Sequence, residues 1–512
     1  RSVLALATDR RAAAGERNST ALEPLVSGQA PVPSISAFSD LRPGDWAYEA
    51  LSQLIEHHGC LNADTIRSFN GGQPMTRSEA AAWLNACLGR VSAITDAHQR
   101  LIAEFAPELA VLKGRVENLE ARVGALEASR FSPTTRLSGL ATMVLGANRF
   151  GGSASDRVRQ ARQDSGGTTL NVDLQLTFDS SFNGSDLLRA NLRGGNFASS
   201  SFGGAGPSTL SQLEIAFQEE CGTKADCGDV IAIDRLFYQL PIGDFTITLG
   251  GRVEQDDMLA IWPSVYPSDA VLDVLTYAGA PAAYNANLGA GAGVWWKHNG
   301  FAISANYVAA NGDGGNPEQG GIGTDGAGGT GTVQIGYSAK QWAIAAVYSS
   351  IQNANDLIVY GTNFSLESFS NPGNTSAFGL SGYWQPAQSG WRPSISAGWG
   401  INNTTYNSEA EDRCLVSTSQ SWSVGLQWQD AVLAGNALGM AVGQPVFATS
   451  LVGGDTPRDG GVVWEWWYKL QLTDNIAVTP ALFYLSRPLG GDTPNGQGFN
   501  QLGGLIKTSF SF

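Results

Sequence analysis

Thr169-Leu170-Asn171-Val172-Asp173-Leu174-Gln175-Leu176-Thr177-Phe178-Asp179 alternates without a break. Leu170, Val172, Leu174, Leu176 and Phe178 fall on one face, and Thr169, Asn171, Asp173, Gln175, Thr177 and Asp179 on the other. Side chains of an extended chain point to opposite sides in turn, so this period of two predicts a strand with one apolar and one polar face. Roughly 9–11 residues is also what a tilted strand needs to cross a bilayer. The pattern recurs: Leu188, Ala190 and Leu192 oppose Arg189, Asn191 and Arg193; Trp422, Val424, Leu426 and Trp428 oppose Ser421, Ser423, Gln427 and Gln429; Trp464, Trp466, Tyr468, Leu470 and Leu472 oppose Glu465, Lys469 and Gln471. A soluble sandwich alternates too, but its apolar face points inward and its loops seldom run long. Trp and Tyr recurring near strand ends, as in an interfacial girdle, favour the membrane barrel.

The connections alternate in length. Tight turns at Asn183-Gly184, 241–244, Asn299-Gly300, Ala339-Lys340, 387–390 and Asp474-Asn475 interleave with long Gly/Asn/Asp-rich stretches near 254–289, 310–331, 351–375, 402–418 and 487–499. Sixteen strands are predicted, near 134–149, 168–180, 186–197, 229–240, 244–253, 291–298, 301–309, 332–339, 341–350, 376–385, 392–401, 419–429, 435–443, 461–473, 475–486 and 501–512. Residues 210–219 are read as a hairpin inside a loop, since a seventeenth strand breaks the parity. With the first strand leaving the periplasm, Phe512 returns there and every long loop lies outside, as in outer-membrane barrels. The predicted fold is an all-β transmembrane barrel of about 16 antiparallel strands, preceded by a small α-helical domain and a coiled-coil helix.

Composition agrees. Of 512 residues only 15% are charged, where soluble domains carry about 25%, and 63 are Gly. With 31 Lys+Arg against 46 Asp+Glu, the chain is neither a disordered tail nor a nucleic-acid binder of the basic-patch kind. Residues 1–130 hold 13 basic and 15 acidic groups, leaving 18 and 31 for the remaining 382, so the acidity belongs to the barrel region. No run of about 18 strongly apolar residues marks a membrane helix; 431–454 is broken by Asn436, Gln444 and Pro445. Only His57, His58, His98 and His298 exist, with no GxSxG and no metal-ligand spacing, so no enzyme, metal or cofactor is expected. The glycines of 320–331 are followed by no predicted helix and form a flexible loop rather than a phosphate cradle. Residues 1–37 are an extension, and 1–30 lack a secretory signal's succession, so either a signal has been removed or these first residues are not native. Among five Cys, Cys60 with Cys87 and Cys221 with Cys227 are candidate disulfides of an oxidising compartment, reduced thiols being the alternative.

Residues 38–90 read as a helical unit. Phe38-Ser39-Asp40 and Asp45-Trp46-Ala47-Tyr48 lead into an apolar stripe of Leu51, Leu54 and Ile55, and a second helix starts where Thr76 and Glu79 have capping-box spacing. These residues, with Gly59-Cys60, Phe69, Pro74-Met75-Thr76-Arg77-Ser78-Glu79 and Leu84-Asn85-Ala86-Cys87, resemble a surface-layer homology (SLH) domain of the kind that precedes cyanobacterial porins. Leu61-Asn62-Ala63-Asp64-Thr65-Ile66 departs from that family's usual Gly-Tyr-Pro-Asp-Gly-like turn. The resemblance implies binding of peptidoglycan or its linked polysaccharide, with Asp40, Trp46, Arg77 and Glu79 as candidate contacts and Arg77 foremost. Capping and a surface ion pair are the alternative for Arg77 and Glu79.

Residues 91–130 carry a heptad seam, with Ile102, Leu109, Val116 and Val123 at a, and Phe105, Leu112, Leu119 and Leu126 at d. Glu108 with Lys113, Arg115 with Glu120 and Arg122 with Glu127 would be opposite-charge pairs between parallel neighbours, predicting a parallel stalk. One helix packed on its own domain is the alternative.

From 131 onward, Asp234-Arg235-Leu236-Phe237-Tyr238, Gln255-Asp256-Asp257-Met258-Leu259, Trp262-Pro263-Ser264, Leu275-Thr276-Tyr277-Ala278-Gly279-Ala280-Pro281 and the stretch 289–297 resemble cyanobacterial porins of the carbohydrate-selective (OprB-like) porin family. The end of the chain, 502–512, resembles the terminal strand that outer-membrane assembly machinery recognises, with Phe510 and Phe512 as its signal. The resemblance implies a homotrimer in outer-membrane lipid, passive diffusion of inorganic ions and small hydrophilic solutes, and a periplasmic N-terminal domain. Parity puts Arg189, Arg193, Arg252, Lys469 and Lys507, with Asp173, Asp179, Glu214 and Glu465, on polar faces. Arg189, Arg193 and Arg252 are expected to form the constriction with the loop 254–288, whose Asp256, Asp257 and Asp273 fold inward; charges that merely line solvent are the alternative. A structural tether with a plugged barrel remains the alternative.

Overall fold

The computed structural model describes residues 41–58, 60, 75–89, 91, 94–114, 134–217, 230–355, 357–407 and 415–512. Asp40, Cys221, Cys227 and the seam positions Val116, Leu119, Val123 and Leu126 lie outside them. The chain divides into two units, 1–129 and 130–512.

The alternating segments become β1 (Thr135–Gly151), β2 (Thr168–Ser180), β3 (Leu187–Gly195), β4 (Ala232–Ile242), β5 (Phe245–Glu254), β6 (Leu288–His298), β7 (Phe301–Ala309), β8 (Gly329–Ser338), β9 (Trp342–Gln352), β10 (Gly373–Trp384), β11 (Ser394–Tyr406), β12 (Val416–Gln429), β13 (Ala437–Leu451), β14 (Val462–Thr473), β15 (Ile476–Ser486) and β16 (Asn500–Ser511). Each pairs antiparallel with its sequence neighbours, and β1 closes on β16 from Leu140↔Ser511 to Gly151↔Asn500. Closure leaves no unpaired edge, which is what lets strands exist in hydrocarbon. All sixteen expected strands are present, and the long connections all lie at one end of the barrel.

Burial along the strands is inverted relative to a soluble core. Met143, Leu145, Leu170, Phe245, Ile247, Leu249, Ile303, Ile335, Ile344, Leu482 and Ile506 are exposed, while Thr142, Asn171, Asp173, Thr248, Ser304, Gln334, Ser349, Ser421, Glu465, Gln501 and Lys507 are buried inside. An apolar belt this continuous is sustained by lipid, not water. Phe301, Tyr337 and Trp342 cluster at the short-turn end, with ring centroids 4.8 and 5.4 Å apart, as an interfacial girdle requires. Among the described residues no helix is long and apolar enough to cross a membrane, which says nothing of strands.

In the first unit, α1 (Trp46–His58), α2 (Arg77–Leu88) and α3 (Asp96–Glu104) enclose Leu51, Leu54, Ile55, Ala80, Leu84, Leu101 and Phe105. Thr76 and Glu79 form the expected capping box, with the Thr76 N–H donating to Glu79 at 2.9 Å and the Glu79 N–H to Thr76 Oγ1 at 3.2 Å. Cys60 and Cys87 are disulfide-bonded, Cα atoms 5.0 Å apart. Pro107 offers no N–H to Ala103, so the helix is interrupted at Phe105 and resumes over 106–114. Leu101, Phe105 and Glu108 are buried, and Leu109 and Leu112 pack on the same core. For the described part of the seam, packing on its own domain is what the structure holds.

Candidate functional site

The loop 255–287, between β5 and β6, does not stand outside the barrel. It folds into the barrel because the inward faces of the distant strands offer it partners. Val265 and Tyr266 donate their N–H groups to Ser396 Oγ at 2.9 and 3.0 Å. Ser381 and Ser421 donate to the carbonyls of Ala278 and Gly279 at 2.7 and 3.0 Å. On the far wall Glu465 accepts the Tyr266 hydroxyl at 2.5 Å and the Leu272 N–H at 2.7 Å, and Lys507 donates to the carbonyls of Asp269 and Ala270. Gln255, fully buried, donates to Ala283 O at 2.9 Å, Thr332 Oγ1 at 2.6 Å and Ser349 Oγ at 3.2 Å. Positive φ at Ala278, Gly279 and Ala286 turns the chain; a Cβ on Gly279 would lie 2.3 Å from the Gly398 carbonyl oxygen.

A second segment locks this loop. Residues 210–217 form neither a barrel strand nor the expected hairpin: a 3₁₀ turn at Thr209–Ser211 is followed by an antiparallel bridge, Leu213↔Leu272. Glu214 N–H donates to Val271 O, and Asp273 N–H to Gln212 O, both at 3.1 Å. The bridge sits in an apolar cluster with Phe197, Phe202, Leu210, Val274, Leu275 and, from the wall, Val144, Trp467, Phe483, Leu485 and Leu505.

The expected charged residues fall into three places. On β2 and β3, Arg189 pairs with Asp179 and Arg193 with Asp173, each at 2.8 Å, so these charges neutralise each other along one wall instead of facing each other as separate arcs. Glu465 serves as the loop's anchor and Lys469 reaches Asp269 at 3.4 Å. Arg252 sits at a bulge between Gly250 and Val253, opposite Leu236. The group that holds the start of the loop is one quoted above for the family resemblance and not as a wall charge: Arg235 pairs with Asp234 at 3.0 Å, with Asp257 at 3.1 Å and with Glu254. Its signal was present, since β4 resumes the polar parity at Asp234-Arg235, but a bulge opposite Asn191-Leu192 shifts the register there.

Crowding of carboxyls shows in their protonation. Burial, aided by Asp256, pushes Asp257 up to about 7. Burial, then Asp273, pushes Glu214 up to about 8. Burial raises Asp273 against the opposing effect of a hydrogen bond from the Tyr360 hydroxyl. Glu254, Asp256 and Asp257 place carboxylate oxygens within 4.8 Å of one another, with Arg235 among them.

In the first unit, Arg77 is spent on its own domain. Its guanidinium donates to Glu108 at 2.7 Å, to Glu104 at 2.8 Å and to the Glu104 carbonyl at 2.7 Å, and lies 5.0 Å from the Phe105 ring centroid. The Glu108 hydrogen bond raises its pKa further. Glu79 caps α2, and Trp46 is exposed with Arg100 stacked over it at 5.1 Å. At the C-terminus Phe512 exchanges backbone hydrogen bonds with Gly139 at 2.7 and 3.0 Å, and Phe510 faces Ala141 and Ile476.

The model of the family "Carbohydrate-selective porin, OprB family" matches residues 95–512. The chain is similar to uncharacterized proteins of Nostoc sp. and Synechocystis sp., each 28% identical over 95% of this chain and over 86% and 92% of theirs. Among solved structures it is similar to Pseudomonas putida OprB, at 12% identity and TM-score 0.45 over 74% of this chain and 94% of that one. An anion-selective porin from Comamonas acidovorans gives 12% and 0.46 over 74% and 99%. A sixteen-strand barrel with a lipid-facing apolar belt, matched by this model over most of its length, belongs to the carbohydrate-selective porin (OprB) family of outer-membrane porins.

Proposed function

We propose that this porin lets inorganic ions and small hydrophilic solutes diffuse passively across the outer membrane, past a constriction built by the inward-folded loop 255–287. The observation that carries this reading is that loop, hydrogen-bonded across the lumen from β7 to β16 and flanked by the charged wall of Arg189, Arg193 and Arg235. A sixteen-strand barrel is wide enough to conduct, and an inserted loop sets what passes. The test is single-channel conductance of the purified protein in planar bilayers, followed by liposome swelling with sugars. Discrete steps are expected; a silent bilayer from a heat-modifiable, folded barrel overturns the reading.

The same reading assigns assembly as a trimer and places the N-terminal unit in the periplasm as an anchor to peptidoglycan or its linked polysaccharide, on the sequence likeness to SLH domains. With Arg77 and Glu79 engaged within the domain, Trp46 and Arg100 are the exposed pair offered to a polymer. Cosedimentation of the full chain with purified sacculi tests this, and loss of binding in Trp46→Ala is the expected outcome. A second reading, a tether with an occluded barrel, is favoured by the burial of inward-facing residues along most of the wall; the silent bilayer above is its signature.

A further inference from the structure

Where water reaches the wall is unevenly distributed. Through the middle of the barrel, the inward-facing side chains of β7 to β16 are buried: Ala302, Ser304 and Asn306; Thr332 and Gln334; Ser381; Ser421; Glu465; Phe483 and Lys507 are examples. The two loops cover them. The inward faces of β2 to β4 are covered only in part, at Asn171, Asp173, Asn191, Asp234 and Phe237. Gln175, Thr177, Asp179, Arg189 and Gln239 keep partial exposure, with the Asp179 and Arg189 side chains 29% and 36% accessible. Arg235, Asp257 and Glu254 retain 16%, 19% and 20%. Beside them Asp256 is exposed, although it stands on the loop that enters the barrel, so the solvent it meets is lumen water.

Charge along this sector is unbalanced. Asp173, Asp179, Asp234, Glu254 and Asp256 stand against Arg189, Arg193 and Arg235, Asp257 adds part of a charge near neutral pH, and counting Arg252 as well still leaves carboxylates in excess. Arg189 and Arg193 are each committed to a carboxylate, and Arg235 is shared by three. The guanidiniums therefore offer little free charge to a passing anion, whereas the surplus negative charge sits on the loop side of the path. A narrow passage with low-dielectric walls concentrates such a field.

We propose that permeation is confined to the β2–β4 side of the lumen and that the carboxylates there, with Asp256 as the residue meeting the solute, make it select small cations over anions. This rests on the porin reading above. Reversal potentials of the full-length protein in a KCl gradient give the potassium-to-chloride permeability ratio. The wild type is expected to prefer potassium. Asp256→Asn lowers the ratio about twofold or more, and Asp256→Lys moves it past unity, as a charge change within one screening length implies. Asp313→Asn, which removes the same charge from the exposed loop 310–328, leaves it unchanged. Chloride preference in the wild type, or a ratio indifferent to Asp256→Lys in a conducting channel, overturns this proposal while the porin reading stands. Absence of any conductance overturns the porin reading and this inference with it.

Discussion

Glu465 is a fully buried fixed point of the constriction loop, and replacing it by Ala exposes how the loop is held. Its side chain is fully buried and accepts the Tyr266 hydroxyl at 2.5 Å and the Leu272 N–H at 2.7 Å. Truncation leaves both donors without that acceptor. The Tyr266 oxygen still receives Trp467 Nε1–H at 2.8 Å, but its own proton has lost its partner. A buried donor so orphaned costs about 1–3 kcal/mol, hence roughly 3 kcal/mol for the pair. At about 1.4 kcal/mol per tenfold, the undocked population of this part of the loop rises on the order of 100-fold. Lys507, Ser381, Ser396, Ser421 and the apolar cluster remain, so the loop fluctuates without leaving. In single-channel recordings Glu465→Ala is expected to show frequent excursions to larger conductance, with Glu465→Gln intermediate because it keeps one acceptor oxygen. A folded Glu465→Ala barrel whose conductance and open-channel noise match the wild type refutes the claim that β14 pins the loop.

Three further outcomes follow from the same geometry. Glu214, facing Asp273, Asp269, Arg193 and Lys507, is raised from 4.5 to about 8, so the docked loop prefers it protonated and the interlock weakens as pH climbs between those values, then levels off; channel noise recorded from pH 5 to 9 should rise in the wild type and stay flatter in Glu214→Gln. Arg77→Ala leaves Glu108 buried without its cation, and about 3 kcal/mol of stability in the N-terminal unit should go, seen as faster proteolysis of that unit with an intact barrel; unchanged proteolysis would count against it. Replacing Cys60 and Cys87 by Ser releases a cross-link over 27 residues, worth about 3.5 kcal/mol by the loop-entropy relation, and should lower the melting of that unit alone.

The barrel was legible because alternation is local: a strand's facing is written in its own residues, and parity constrains the count. The capping box at Thr76 and Glu79 was legible for the same reason. Arg77 was not, since its partners Glu104 and Glu108 lie 27 and 31 residues on and no local pattern announces them. Arg235 was overlooked as a wall charge because a β-bulge breaks the parity by which wall charges were assigned. The lateral pairs Arg189–Asp179 and Arg193–Asp173 needed strand register, which the turn at 181–186 sets and periodicity does not.

The interlock of the two loops left a subtler mark. In β15 the inward series is Ala477, Thr479, Ala481, Phe483, Leu485, almost as apolar as the outward one. In β14 Val463 and Trp467 flank Glu465, and in β16 Leu505 stands between Gly503 and Lys507. A strand apolar on both faces has no place in an open, water-filled barrel, because such side chains gain about 1.5–3 kcal/mol each only when something covers them. The cover here is Phe202, Leu210, Leu213, Leu272 and Leu275 from the loops. On β2 and β3 the inward series is mainly polar, with Gln175, Thr177, Asp179, Arg189, Asn191 and Arg193, and only Leu187, at the start of β3, packs on an apolar cluster that includes Met258 of the loop. The side of the lumen that stays wet is thus encoded where alternation persists, and the side that is filled is encoded where alternation fails.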